Sequence, residues 1–279
     1  MQTQKAIKGT VEPILEIDYS LPVTPIGWRN IQEHETGVLF LTRQSERLIF
    51  ADPYHPMVVA STGSECDGST AYETILGCIR AAALDQSAPS SRRLDALWIL
   101  SKVSDPSANV APLTPLLADR DKDLRYATAA LFMSRGNVNG LAAIYLDLSR
   151  AQETDAPTPG MLLHALSQAS LQPDALPYLT TLLACGPPDV RKAAALALRN
   201  TNSQSAIPDL LGALDDPNSG VRFNVTLALT HITKQYGLGA VRNRPQGGDT
   251  EQIDAWKRWA ATHGYTATRK GLPPAQERP

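Results

Sequence analysis

The sequence predicts a mainly α protein in which two-helix repeats are stacked behind a small β-rich N-terminal segment. Three observations carry this. Blocks of residues recur at a spacing of 31. Alanine and leucine dominate from residue 70 to 235. Aromatics make up only 6% of the 279 residues, which suits closely approaching helices better than a β-sandwich core.

Residues 1–65 have the texture of a small β unit. Val11-Glu-Pro-Ile-Leu-Glu-Ile-Asp-Tyr19, Gly37-Val-Leu-Phe-Leu-Thr-Arg43 and Arg47-Leu-Ile-Phe50 are rich in β-branched and aromatic residues and are separated by turn clusters. Few strands give little independent stability, so this piece is expected to pack on the first helices as an N-terminal cap. Ala6-Ile-Lys-Gly9, Gly37-Val-Leu-Phe-Leu41 and Ala51-Asp-Pro-Tyr54 resemble the end of the β-barrel module that precedes helical repeats in some exported bacterial proteins. That resemblance implies an upstream strand and an export signal beyond the sequence. As given, the chain reads as cytoplasmic, because its N-terminus lacks the apolar run of a secretory signal.

The helical body is expected over residues 66–236, opening at Thr70-Ala-Tyr-Glu73, an S/T-x-x-E capping box. Ala175-Leu-Pro-Tyr-Leu-Thr-Thr-Leu-Leu183 returns as Ala206-Ile-Pro-Asp-Leu-Leu-Gly-Ala-Leu214, Val190-Arg191 as Val221-Arg222, and Ala197-Leu198 as Ala228-Leu229, each 31 residues on. An earlier copy runs from Val110-Ala-Pro-Leu through Asp119 to Ala130-Leu131, and further Ala-Leu pairs at 96 and 165 bring the count to about five units, the last two degenerate. In each unit a first helix opens on a proline, where the missing N–H does no harm, and carries leucines three and four apart. An alanine-rich second helix then allows close helix approach. One such hairpin cannot bury its own apolar faces, whereas stacked copies can.

The leading proline, the paired leucines, an Asp six residues before an Arg, then Val-Arg and Ala-Leu resemble HEAT repeats, in the short bacterial form also found in phycobiliprotein-lyase-like proteins. The resemblance covers about residues 70–236 and implies a right-handed α-α superhelix. It also implies that the repeat Asp and Arg tie turns and adjacent units together, which maps onto Asp119 with Arg125 and Asp216 with Arg222. Cys185 stands where the Asp before Arg191 would be, which leaves the Arg191 rung in question.

Residues 237–279 are expected to form a loop, a capping helix and a loose tail. The helix spans Asp249 to Trp259, with Ile253, Trp256 and Trp259 three apart on one face as a lid over the last repeat. The alternative use of the tryptophan pair is an exposed partner hot spot.

Nothing in the chain points to common enzyme chemistry. It has no phosphate loop with its lysine, no G-x-S-x-G elbow and no H-E-x-x-H, and its five histidines, at 34, 55, 164, 231 and 263, are scattered. Three cysteines, at 66, 78 and 185, form no C-x-x-C pair, so no metal site or cofactor is expected. The odd count favours thiols, although Cys66 and Cys78 are close enough to be bridged in an oxidising compartment. With 26 Lys+Arg against 28 Asp+Glu the net charge is −2, which argues against a nucleic-acid partner. No stretch approaches the roughly 18 apolar residues of a membrane helix, so no membrane insertion is expected.

The expected function is therefore a non-catalytic scaffold that binds a protein through the surface of its second helices. Tyr126, Lys192 and Phe223, each directly after a repeat Arg, are the candidate contact positions. Two rivals remain: a lyase- or chaperone-like role on a tetrapyrrole-bearing or other protein, and a structural module of a larger exported protein.

Overall fold

The computed structural model describes residues 37–39, 41–44, 47–50, 57–59, 71–103, 110–152, 157–238 and 250–268. The chain divides into two compact units, residues 1–124 and 125–279, a division that falls inside one helix.

In the first unit, four short strands pair antiparallel in twos. β1 (Gly37–Leu39) runs beside β4 (Met57–Val59), and β2 (Leu41–Gln44) beside β3 (Arg47–Phe50). The rest of the expected β-rich segment over 1–65 lies outside the described residues, and the fold class that stands is mainly α. Helices α1 (Ala71–Leu84) and α2 (Ser90–Lys102) form the first hairpin, with Thr70 of the expected capping box outside the described residues. Cys78 on α1 is 5% exposed and disulfide-bonded. The expectation of thiols throughout therefore fails at this position, while Cys66 lies outside the described residues.

The next helix, Ala111–Ala118, is 3-10 rather than α. Its sequence explains the difference, because Pro115 has no N–H to return to the carbonyl of Ala111. The Thr114 hydroxyl takes that acceptor instead, donating to Ala111 O at 2.7 Å. Leu113, Leu116 and Leu117 still bury one face.

Helix α3 (Lys122–Ser134) crosses into the second unit. There follow α4 (Val138–Arg150), α5 (Gly160–Gln168), α6 (Leu176–Ala184), α7 (Pro188–Thr201), α8 (Ile207–Gly212), α9 (Ser219–Thr233) and α10 (Thr250–Thr262). Within this unit α4, α6 and α8 lie side by side in one layer, and α5, α7 and α9 in another. The period-31 blocks account for the layering. Leu179, Leu182, Leu210 and Leu214 of the first helices are buried against Val190, Leu198, Val221 and Leu229 of the second helices, all 0% exposed. Ala193, Ala194, Ala195 and Ala197 bury a whole side of α7, where larger side chains would hold its neighbours away. The Ala-Leu anchors read from the sequence fall on α2, α3, α5, α7 and α9.

Two glycines mark closer approaches. A Cβ on Gly140 of α4 would stand 2.5 Å from the Ala129 carbonyl oxygen and 2.7 Å from Phe132 Cβ, so α4 rests directly on the α3 backbone. Gly212, at the end of α8, is roofed by the carbonyl of Thr268, whose own N–H donates to Pro208 O at 2.9 Å. The residues after α10 therefore form a strap back across α8. Gly264 makes this reversal possible at φ +76°, a left-handed conformation that suits glycine.

Candidate partner-binding face

The charged residues of the repeats are of two kinds, those turned into the stack and those left on its surface. The buried kind forms ladder rungs. Arg191, in the first turn of α7, donates from Nε to Asp216 Oδ2 at 2.7 Å and from Nη2 to Oδ1 at 3.0 Å, with both side chains about 5% exposed. Its Nη1 reaches the other way, to the Gly186 carbonyl of its own turn, at 2.7 Å. Asp216 Oδ1 in turn accepts from Asn218 N at 2.8 Å and fixes the turn into α9. One guanidinium thus clips two successive turns.

Arg93 repeats the pattern in the first unit, donating to Ala83 O at 3.0 Å and to Asp119 Oδ2 at 2.6 Å. Burial by itself would raise the Asp119 carboxyl. The Asp121 N–H together with the hydrogen bond and charge of Arg93 outweighs it and holds the group below the usual carboxylate range.

These contacts add partners that the expected pairing lacked. The carboxylates of Asp119 and Asp216 receive Arg93 and Arg191, the Arg of the unit before. Arg222 donates to the Asp216 and Pro217 carbonyls at 2.8 and 3.1 Å, and Arg125 lies 3.6 Å from Asp147 Oδ2 on α4. The doubt attached to Arg191 is resolved in the same way, because its carboxylate is Asp216 and not a residue at position 185.

Cys185 occupies the C-cap of α6, as Asp119 and Asp216 cap the helices before α3 and α9. The helix that would serve it is α5. At the fourth helical position, where α2, α3, α7 and α9 carry Arg93, Arg125, Arg191 and Arg222, α5 carries Leu163. By the Ala-Leu anchors, 32 residues apart, the α5 position equivalent to Arg191 is Pro159, so this level of the stack carries neither the Arg nor the Asp. The Cys185 thiol donates to Thr181 O at 3.0 Å.

The candidate contact positions lie on the second helices. Tyr126 does not lie on the surface. It is 5% exposed and donates its hydroxyl to Asp147 Oδ2 at 3.3 Å, which removes it from the candidate contact positions. Lys192 and Phe223 are half-exposed. The Lys192 stem lies over Gly220 of α9, where a Cβ would meet its Cε at 2.8 Å, and its ammonium pairs with Asp189 at 3.0 Å. Two turns along α7, Arg199 donates from Nε and Nη2 to Asn200 Oδ1 at 3.3 and 3.2 Å. Asn200 is anchored across to α5, donating to the Ser167 and Ala169 carbonyls at 3.0 and 3.3 Å. His231 of α9 stands near Arg199 and Lys234; desolvation first, then those two cations, lowers its affinity for a proton below the ordinary histidine value.

The C-terminal helix lies on α8, with Ile253 and Trp256 buried and Lys257 paired with Asp215 at 2.6 Å. Trp256 is 0% exposed, which fits a lid rather than a free hot spot. Trp259 is half-buried, stacked on His263 and Tyr265 at 4.6 and 5.5 Å between centroids. Its Nε1 is buried with no hydrogen-bond partner among the described residues. Those residues also hold no group of three His, Cys, Asp or Glu that could bind a metal, and no helix long and apolar enough to cross a membrane.

A stack of helical hairpins clipped turn to turn by Arg–Asp rungs defines a helical-repeat protein. Residues 176–241, which hold α6 to α9, match the family model for HEAT repeats, and the repeats of this segment are HEAT repeats. No curated protein matches the chain.

Proposed function

We propose that the protein is a non-catalytic scaffold that binds a protein partner across α5, α7 and α9. HEAT repeats generally mediate protein–protein interaction. The observation that carries the reading is how the repeat charges are divided. Arg191 and Asp216 are spent inside the stack, while Lys192, Phe223 and Arg199 are left along the outer side of adjacent second helices. Rows of this kind on stacked repeats are the surfaces through which solenoids engage partners. The same reading makes the second unit a stretch of right-handed superhelix. It also gives the N-terminal strands the role of covering the first hairpin, which is supported by β1 and β4 lying beside α1.

A photo-crosslinking residue placed at Lys192 or Phe223 is expected to give discrete protein adducts in cells. The same residue at Leu146 of α4, 53% exposed in the other layer, is expected to give none. Adducts confined to position 146, or equal at all three, would count against this face.

The disulfide at Cys78 favours a second reading, as a module of an exported protein, since such bonds persist in oxidising compartments. Fractionation of the native host under conditions that trap thiols decides it; recovery of the protein in the cytosol with Cys78 reduced would discard this reading.

A further inference from the structure

Resting on the protein-binding reading, we infer that the α5–α7–α9 face takes an acidic polypeptide segment. The chain as a whole has more carboxylates than Lys and Arg, 28 against 26, yet the second helices do not share this balance. α5 contains no Asp or Glu, α9 contains none, and α7 contains only Asp189. Arg191 is taken up by Asp216 inside the stack, and against Asp189 stand Lys192, Arg199 and Arg222, with Lys234 capping α9. The first-helix layer is the reverse. α6 and α8, with the 3-10 turns that flank them, hold Asp174, Asp209 and Asp215 and no cation, and α4 in the same layer holds Asp147 and one cation, Arg150. The two layers of the stack therefore differ in the sign of their charge.

The cations are also aligned. Lys192 and Arg199 are seven residues apart, on one side of α7. The 31-residue register sets Phe223 beside Lys192, and His231 stands close enough to Arg199 to feel its charge. Two groups result, one of Lys192 and Phe223, the other of Arg199, His231 and Lys234. Arg199 is held in place by Asn200, which is itself tied to α5, so its guanidinium is pre-set rather than mobile.

Cations near helix C-termini also complement the helix dipole, and this accounts for Lys234 and in part for Arg199. It does not account for Lys192 in the second turn of α7, nor for the absence of carboxylates along α5 and α9. Phe223 beside Lys192 gives the face an apolar anchor next to its charge, the pairing that suits an acidic peptide with an apolar side chain. A nucleic acid would need more phosphate contacts than these few cations supply.

The test uses the full chain and three fluorescent probes of about 15 units each: a Glu/Leu peptide, its Gln/Leu counterpart and an oligothymidylate. The Glu/Leu peptide is expected to bind about tenfold or more tighter than the Gln/Leu peptide at low salt, with the difference shrinking at about 300 mM NaCl. Lys192→Glu with Arg199→Glu is expected to abolish the preference while leaving the circular-dichroism melt in place. Leu146→Glu serves as the surface control. Equal or absent binding of both peptides, an unchanged preference in the double variant, or tighter binding of the oligothymidylate would overturn the inference. Failure here with face-specific crosslinks intact would leave the scaffold reading standing and remove only the acidic class of partner. Loss of the face-specific crosslinks would remove the scaffold reading itself.

Discussion

Replacing Asp216 with Ala removes the carboxylate on which Arg191 depends. Arg191 is 4% exposed, and its Nε and Nη2 both donate to Asp216, so the substitution strands a buried guanidinium. Breaking a buried pair from one side costs about 3–5 kcal/mol. Loss of the Asn218 N–H bond falls on the same residue and places Asp216→Ala toward the upper end of that range. The corresponding Asp119→Ala should cost less, about 1–3 kcal/mol, because its rung has one Arg–carboxylate bond and side-chain exposures of 8% and 15%. A double variant supplies the control. Arg191→Leu with Asp216→Cys removes both charges of the rung together, and it should regain about 2 kcal/mol or more over the sum of the single losses. Urea unfolding followed by circular dichroism measures all four species, with slopes compared to check that each unfolds alike. A cost below about 1 kcal/mol for Asp216→Ala, or simple additivity in the cycle, would refute the rung as the element that holds α7 to the next turn.

Gly140→Ala should destabilise the second unit by about 1–3 kcal/mol in the same assay, since the new methyl meets the Ala129 carbonyl and Phe132 with no flexible side-chain end to give way. For Asp119 the folded carboxyl lies below its ordinary value of 3.8, so its contribution is complete above that value and fades as pH falls through the folded one. An acid titration of stability should accordingly be shallower below about pH 4 in Asp119→Asn than in the wild type. The lid tryptophans should separate in thermal melts. Trp256→Ala costs about 3–5 kcal/mol, while Trp259→Phe, which deletes a buried N–H with no partner among the described residues, is neutral or slightly stabilising.

What could be read from the sequence was whatever repeats. The 31-residue period located the hairpins, because leucine and alanine spacing is set by helix geometry that each copy obeys alike. The three-residue spacing of Ile253, Trp256 and Trp259 marked the lid for the same reason. The rungs were legible in residue type but not in pairing. Asp119 lies six residues before Arg125 and 26 after Arg93, and the sequence does not say which distance the fold closes.

Tyr126 failed as a contact position because it shares its register with Lys192 and Phe223 but not their surroundings. Asp147 on α4 receives its hydroxyl, a contact that depends on one degenerate unit. The strap over Gly212 left no periodic trace. A glycine ending Ile207-Pro-Asp-Leu-Leu-Gly212 reads as an ordinary helix end until Thr268 is seen lying across it.

The forward reach of each rung makes some units copyable and others not. A tandem duplication of residues 204–234 would set Arg222 opposite a second Asp216 and Arg191 opposite the first, so that every buried guanidinium keeps a carboxylate. Duplicating residues 173–203 would set the first Arg191 opposite a second Cys185 and leave its charge buried beside a thiol. Two blocks of the same length, alike in leucines and alanines, therefore differ in whether the array can grow through them. Growth by recombination at these repeats should be asymmetric, admitting copies of the last unit and rejecting copies of the one before it.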